Sequence, residues 1–169
     1  MNFEKLIQNW HSKKIVPEDY FSNFIFEYLA FIAYLKKVAY FEGSDRATIN
    51  QLKDDTRFAS KYKEIIKADL NLQETWKNLI GELKKDPIKN VTSPRQLEKH
   101  WDGSRIGVIT STEEWKNTVE FWYTVRNNLF HGLKDPESSR DMKMAEYAYK
   151  TINPLVEYFV SQLNDRAAR

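Results

Sequence analysis

The stretch from Tyr20 to Leu35 constrains the fold more than any other part of the chain. Its 16 residues carry one charged side chain, Glu27, among mostly aromatic and aliphatic residues. Pro17, followed by two acidic residues, is typical of the first turn of a helix, so we predict a helix over about 18–41 that ends before Gly43. Because a helix that is apolar on nearly every face is buried all round, it is either central to the domain or also meets a second subunit.

Composition favours an all-helical domain. The 169 residues include 5 glycines and 5 prolines, which is about half the usual share of these turn-forming residues. Cysteine is absent, which excludes a disulfide framework, a cysteine nucleophile and a thiolate metal site. The net charge of +2 is too small to indicate a nucleic-acid or membrane partner by itself. We therefore predict one domain over residues 1–169, an all-α bundle of about five to six helices.

No membrane segment or secretory signal is apparent. A helix that spans a bilayer needs about 18–20 apolar residues, more than the stretch from Tyr20 to Leu35 provides. The first residues include Glu4 and Lys5 and contain no long apolar core, unlike a signal peptide. We expect a cytoplasmic protein without a membrane partner.

The other helices are predicted from spacing and from turn signals. Residues 44–85 show the spacing of two or three amphipathic helices. Ser111, with a glutamate three residues later, forms a capping box for a penultimate helix that stops at Gly132. A last helix follows over about 139–164, and Pro154 within it is expected to kink or split it.

A long irregular basic loop, residues 86–110, precedes the penultimate helix. Together with the two lysines before it, this segment contains six basic and three acidic side chains, a net charge of +3. A connection of this length within a domain tends to be functional or disordered. One interpretation is an RNA-binding loop in which Lys99 and Arg105 bind phosphates and Trp101 or His100 stacks on a base. The other is a solvated loop with Trp101 in the core.

The predicted penultimate helix carries a positive charge on its apolar face. Plotted at about 100° per residue, its aromatic and aliphatic side chains fall in one arc, with Arg126 near the centre. The polar residues on the opposite side are Asn117, Glu120, Thr124 and Asn128. A buried guanidinium without a partner costs several kcal/mol, so Arg126 must meet a carboxylate, a subunit interface or an anionic ligand. Glu27 is the candidate for a structural ion pair, and the arginine can also extend past Trp122 to water.

His131 follows at the C-terminal end of the same helix. A histidine there either hydrogen-bonds the last carbonyl groups or acts as an acid or base. The whole segment RNNLFHG, residues 126–132, resembles the Arg-x4-6-His signature of the HEPN superfamily (higher eukaryotes and prokaryotes nucleotide-binding). Asn127 matches the asparagine that often follows the arginine, and Asn128 and Gly132 are also seen in small bacterial members. The resemblance covers about residues 111–165.

The resemblance implies an α-helical bundle that forms a homodimer, with two copies of the motif facing each other across a cleft. Catalytic members are metal-independent endoribonucleases, and others are noncatalytic modules that bind nucleotide, RNA or a protein. Some carry a tyrosine two residues after the histidine, which a partner nucleotidyltransferase antitoxin modifies. Leu133 occupies that position here, so we do not expect this modification.

For this chain the resemblance implies an endoribonuclease of toxin–antitoxin or antiphage-defence type, with RNA as substrate and an antitoxin or neighbouring-gene protein as a further partner. In that role His131 is the acid or base, Arg126 binds the phosphoryl oxygens, and Asn127 orients the reacting groups. Asn128 and Glu27 are supporting residues. Attack by the 2′-hydroxyl gives a 2′,3′-cyclic phosphate without cofactor or metal. Two alternatives remain: a noncatalytic HEPN module, and a helical interaction protein with an Arg126–Glu27 ion pair.

Overall fold

Seven helices account for the helical structure of the described residues. The computed structural model describes residues 2–13, 19–90, 100–103, 105–131 and 138–167. The helices are α1 (Phe3–Ser12), α2 (Tyr20–Lys37), α3 (Asp45–Asp54), α4 (Thr56–Ala68), α5 (Leu70–Lys85), α6 (Trp115–Phe130) and α7 (Ser139–Ala167). The all-α helical bundle is confirmed. The count exceeds the expected five to six because α1 was not predicted and because residues 44–85 form three helices.

The apolar stretch forms the central helix, α2. It packs against α1 and α7 along its length and also contacts α3 and α6. Phe31 connects it to the neighbouring helices, since its ring lies 5.8 Å from that of Trp122 and 6.3 Å from that of Phe159. The helix ends at Lys37, earlier than predicted, and its N-cap is Asp19. The predicted start at Pro17 and Glu18 lies outside the described residues.

Two aspartates separate the three helices between residues 44 and 85. Asp55 both ends α3 and caps α4, and Asp69 does the same between α4 and α5. The carboxylate of Asp55 accepts hydrogen bonds from the backbone N–H groups of Arg57 and Phe58, at 2.9 and 3.3 Å. Because one capping residue is enough to turn the chain here, no glycine or proline marks these boundaries in the sequence.

The start of α6 differs from the prediction. Its N-cap is Glu114, not Ser111. The Ser111 hydroxyl instead accepts a hydrogen bond from the backbone N–H of Glu113, at 3.0 Å, in the turn before the helix. The Glu114 carboxylate accepts from the backbone N–H of Thr110, at 3.2 Å, and from the Asn117 amide, at 2.8 Å. The predicted capping box is therefore replaced by a turn that Glu114 links to the helix.

Pro154 was predicted to kink or split the last helix. This helix, α7, is continuous from Ser139 to Ala167 and passes through Pro154, so it is not split there. Proline inside a helix costs about 3 kcal/mol because one hydrogen bond is lost and the ring meets the preceding turn. Ile152, Leu155 and Val156, next to Pro154, are all buried. Burying three such side chains contributes roughly 1.5–3 kcal/mol each, which outweighs the cost.

The described parts of the segment between α5 and α6 pack onto the helices. The backbone N–H of Ile88 donates to the carbonyl of Gly107, at 3.0 Å, and Ile88, Val108 and Ile109 are buried. Gly107 has a φ of +75°, and a Cβ there would lie 2.2 Å from the carbonyl oxygen of Ile88. Only glycine permits this close approach. Within the described part of the chain, no helix is long and apolar enough to cross a membrane.

Candidate functional site

The polar face of α6, opposite the apolar arc, is buried. Asn117, Glu120, Thr124 and Asn128 are all almost completely inaccessible to solvent. α6 contacts α2, α3 and α7, and the segment before it covers Asn117 and Asn128. Its polar side chains therefore need partners in the interior, and three of them bind residues far away in the sequence.

Glu120 is the centre of a buried charge cluster. Its carboxylate accepts two hydrogen bonds from the guanidinium of Arg46, at 2.7 and 2.9 Å, and one from the ammonium group of Lys53. Burial alone would raise the pKa of Glu120, but the hydrogen bonds from Arg46 and the charge of Lys53 lower it overall. Burial also lowers the pKa of Lys53, more than Glu120 raises it. Arg46 in addition lies 4.0 Å above the ring of Tyr123.

Two asparagines of α6 hold the preceding segment in place. The Asn117 side chain accepts from the backbone N–H of Asp102, at 2.7 Å, and donates to its carbonyl, at 2.8 Å. Asn128, predicted as a supporting residue of the active site, donates to the carbonyl of Lys89 at 2.8 Å. Both amides therefore fix backbone, and Asn128 holds residue 89 against the end of α6.

Arg126 is partly buried, with 23% of its side chain exposed. One nitrogen of its guanidinium donates to the side-chain oxygen of Asn127, at 2.9 Å, and another to the carboxylate of Asp45, at 3.3 Å. The guanidinium also lies 4.5 Å from the ring centre of Phe130 and 5.8 Å from that of Tyr28. Of the alternatives that the sequence left open for Arg126, the structure shows a carboxylate partner, which is Asp45 and not Glu27.

The predicted Arg126–Glu27 ion pair is wrong. The Glu27 carboxylate is fully buried and contacts the Nδ1 atom of His11 at 2.9 and 3.1 Å. Glu27 binds a side chain of α1, whereas Arg126 reaches the first turn of α3. Glu27 thus joins α2 to α1 and is not a supporting residue of the Arg126 site.

Asp45 connects Arg126 to a second cation. One oxygen of its carboxylate lies 2.6 Å from the ammonium nitrogen of Lys36, and the other faces Arg126. The hydroxyl of Tyr28, whose side chain is 1% exposed, has no hydrogen-bond partner among the described residues. Burial strongly raises the pKa of this hydroxyl, the charge of Arg126 opposes the shift, and that of Asp45 adds to it. No local pattern in the sequence distinguishes Lys36, Asp45 and Tyr28, so none of the three was predicted near Arg126.

His131 is the C-cap of α6, and its backbone N–H donates to the carbonyl of Asn127 at 3.1 Å. Its imidazole is exposed and makes no hydrogen bond or ion pair with the rest of the described chain. Asn127 therefore contacts both signature residues, Arg126 through its side chain and His131 through its carbonyl. Phe130, between them, is 50% exposed.

The structure gives a different result for each of the three basic-loop residues that were predicted to bind RNA. Trp101 is buried, so it offers no free ring face to a base, in agreement with the alternative that placed it in the core. Arg105 is exposed and donates to the carbonyl of Lys84 at 3.2 Å. Lys99 lies outside the described residues. Among the residues that the structure covers, no three His, Asp or Glu side chains come close enough to bind a metal ion.

Comparison with known proteins does not assign the chain to a family or a function. No protein-family model matches the chain, and no curated protein or solved structure is similar to it. Any function proposed for the chain therefore rests on the signature residues and on the geometry of the end of α6.

Proposed function

We propose that this protein is a metal-independent endoribonuclease of HEPN type that acts as a homodimer. The observation that carries the proposal is the double contact of Asn127. Its side chain fixes the guanidinium of Arg126, and its carbonyl fixes the backbone of His131. A partly exposed cation and an exposed acid–base group thus arise from one rigid helix end, in the order of the Arg-x4-His signature.

The chemistry needs a base, an acid and a cation. The 2′-hydroxyl of RNA loses its proton to His131 and attacks the adjacent phosphorus. The bond from phosphorus to the 5′-oxygen breaks, and that oxygen takes a proton from a second imidazole. The products are a 2′,3′-cyclic phosphate and a 5′-hydroxyl. Arg126 stabilises the extra negative charge on the phosphoryl oxygens during the transfer.

A second copy of the chain supplies the second imidazole. His131 is the one histidine of the signature segment, so a single chain provides either the base or the acid. Phe130 lies next to His131 and exposes half of its side chain. A dimer that pairs the two α6 ends covers both phenylalanine rings and brings both imidazoles to one cleft.

Cleavage in the presence of EDTA tests the proposal. The purified protein is incubated with single-stranded and structured RNAs, and the products are separated on a denaturing gel. His131→Ala is expected to lower the rate by about 10²–10⁴-fold, and Arg126→Ala by about 10²–10³-fold. Arg57→Ala is the matched control, because Arg57 is an exposed arginine that pairs with Asp55 beside it. Cleavage that His131→Ala leaves intact contradicts the assignment.

A noncatalytic RNA-binding module is the second candidate. The observation that favours it is the carboxylate of Asp45, 3.3 Å from Arg126, which already neutralises part of the positive charge that catalysis needs to stabilise the transition state. The same assay separates the two functions. A wild-type protein that binds RNA and leaves it intact supports the noncatalytic module.

The toxin or defence role is tested in cells. Induced expression of the wild-type chain is expected to arrest growth in a host that lacks a protecting partner. Induced expression of His131→Ala, at an equal protein level, is expected to permit growth. Equal growth of the two cultures contradicts a role as a ribonuclease toxin.

A further inference from the structure

The carboxylate of Asp45 bridges two cations at the surface of the bundle. Lys36 comes from the last turn of α2, Arg126 from the last turns of α6, and Asp45 is the first residue of α3. The carboxylate uses one oxygen for each cation, at 2.6 Å to Lys36 and 3.3 Å to Arg126. The three charges sum to +1. All three side chains are partly exposed, so a ligand from solvent can reach them.

The hydrogen bonding of this cluster is incomplete. The Nε–H group of Arg126 is buried and has no hydrogen-bond partner among the described residues. The same is true of the hydroxyl of Tyr28, whose ring centre lies 5.8 Å from the Arg126 guanidinium. A buried polar group without a partner costs about 1–3 kcal/mol, so such groups usually belong to a site that a ligand or water completes. The N-terminus of α3 also meets the cluster at Asp45, and the positive end of its dipole favours an anion there.

We propose that Lys36 and Arg126 form a clamp for one phosphodiester group of RNA, and that the Asp45 carboxylate occupies this clamp in the free protein. A phosphate presents two oxygens to two cations in the way that the carboxylate does now. When RNA binds, its phosphate displaces Asp45, which then turns toward solvent. Lys36 is thus a further substrate-binding residue and Asp45 an internal competitor. The proposal rests on the proposed function in taking RNA as the ligand.

Binding of an RNA that cannot be cleaved tests the clamp apart from catalysis. The probe is a fluorescent single-stranded RNA 12-mer with 2′-O-methyl groups throughout, and its affinity for the full chain is measured by fluorescence anisotropy. Lys36→Met is expected to weaken binding about tenfold, since a hydrogen bond to a charged group is lost. The slope of log affinity against log salt should also fall by about 0.7, the value for one phosphate contact on a single strand.

Lys37→Met is the matched control for Lys36→Met. Lys37 is the next residue of α2, carries the same charge, and lies over the ring of Phe3 in α1. Its replacement is expected to leave the affinity and the salt slope close to those of the wild type. Equal losses in both variants would indicate general electrostatic attraction and would overturn the clamp.

Asp45→Asn has the opposite expected effect. Removal of the competing charge is expected to tighten RNA binding about twofold to fivefold, the upper part of the range for a partly exposed charge interaction. Asp54→Asn is its control, because it removes one negative charge from the other end of α3, where the carboxylate lies 3.2 Å from the ammonium group of Lys116. If Asp45 has only a structural role, Asp45→Asn lowers the melting temperature and does not increase the affinity for RNA. That result would overturn the proposal.

The outcomes separate the clamp from the ribonuclease. If RNA cleavage requires His131 but RNA affinity depends on neither Lys36 nor Asp45, the clamp is wrong and the ribonuclease stands. If affinity changes as expected while no RNA is cleaved, the clamp is supported and the ribonuclease is wrong. Failure of the wild-type chain to bind the 2′-O-methyl RNA overturns the clamp. Inorganic phosphate and AMP serve as competitors of the RNA. Displacement of the RNA by AMP at a concentration equal to that of the RNA would assign the clamp to free nucleotides instead.

Discussion

Replacement of Glu120 by glutamine should destabilise the protein more than replacement of any exposed acidic residue. The Glu120 carboxylate is 1% exposed and accepts three hydrogen bonds from charged groups, two from Arg46 and one from Lys53. Glutamine has nearly the same shape but carries no charge and offers one acceptor oxygen. The substitution therefore leaves two buried or half-buried cations without an anion.

The size of the loss of stability follows from the contacts that Arg46 and Lys53 keep in the variant. Three hydrogen bonds between charged groups would suggest about 4.5–9 kcal/mol at roughly 1.5–3 kcal/mol each. Arg46 keeps its contact with the ring of Tyr123 and a quarter-exposed side chain, and Lys53 keeps its hydrogen bond to the carbonyl of His100 at 2.8 Å. These remaining contacts reduce the loss to about 3 kcal/mol, at the lower end of values for broken buried ion pairs. A domain of this size has a free energy of unfolding of about 5–15 kcal/mol, so the change is large.

Urea denaturation followed by tryptophan fluorescence measures the loss. A shift of the urea midpoint at constant slope gives the change in the free energy of unfolding. Glu113→Gln is the control, because Glu113 is an exposed acid near the start of α6 that pairs with exposed Lys63. We expect it to change stability by less than about 0.5 kcal/mol. A change of this small size in Glu120→Gln would refute the argument that the charge cluster stabilises the contact between α3 and α6.

Further predictions concern pH and two glycines. Because the pKa of Glu120 is lowered in the folded protein, the unfolded chain binds more protons at acid pH. The stability that Glu120 provides is therefore present above about pH 4.3 and is lost as pH falls below it. In urea titrations from pH 7 to 3, Glu120→Gln should lose less stability than the wild type. Gly107→Ala should lower the melting temperature and raise amide exchange at Ile88, because the new Cβ would lie 2.2 Å from the Ile88 carbonyl. Gly81→Ala, in a helix with open space around the added atom, should instead stabilise the protein by about 0.5–1 kcal/mol in the same melting experiment, and the opposite order of the two alanine variants would contradict the packing described for residue 107.

Local pattern was sufficient for the fold class and for the central helix. The run from Tyr20 to Leu35 is too apolar for any surface position, and the scarcity of glycine and proline left few places for turns, so an all-α bundle around α2 followed directly. The helix boundaries at Asp55 and Asp69 did not follow, because an aspartate cap resembles any other aspartate in a charged segment until the backbone geometry is known.

For the site at the end of α6, the sequence predicted that Arg126 needs a partner but not which residue that partner is. The position of Arg126 on an apolar arc required a carboxylate or an anion, and the structure provides the carboxylate of Asp45. Its identity depends on how α3 packs against α6, across 81 residues of sequence, which no periodicity reports. The same packing explains why Glu120 is buried, since a helical wheel assumes one buried face and α3 covers the second. Tertiary packing decides which distant charged residues pair, and the local spacing of residues gives no information about that packing.

Analysis of the ends of the cleaved RNA tests the central claim most directly. Wild-type protein is incubated in EDTA with an RNA and with the same RNA carrying one 2′-O-methyl group at the cleaved nucleotide, and the products are identified by mass spectrometry. Acid–base catalysis by His131 predicts a 2′,3′-cyclic phosphate and a 5′-hydroxyl, no cleavage at the methylated nucleotide, and a rate that is about 10²–10⁴-fold lower with His131→Ala. Cleavage that survives the 2′-O-methyl group, or products with a 5′-phosphate, would contradict the account.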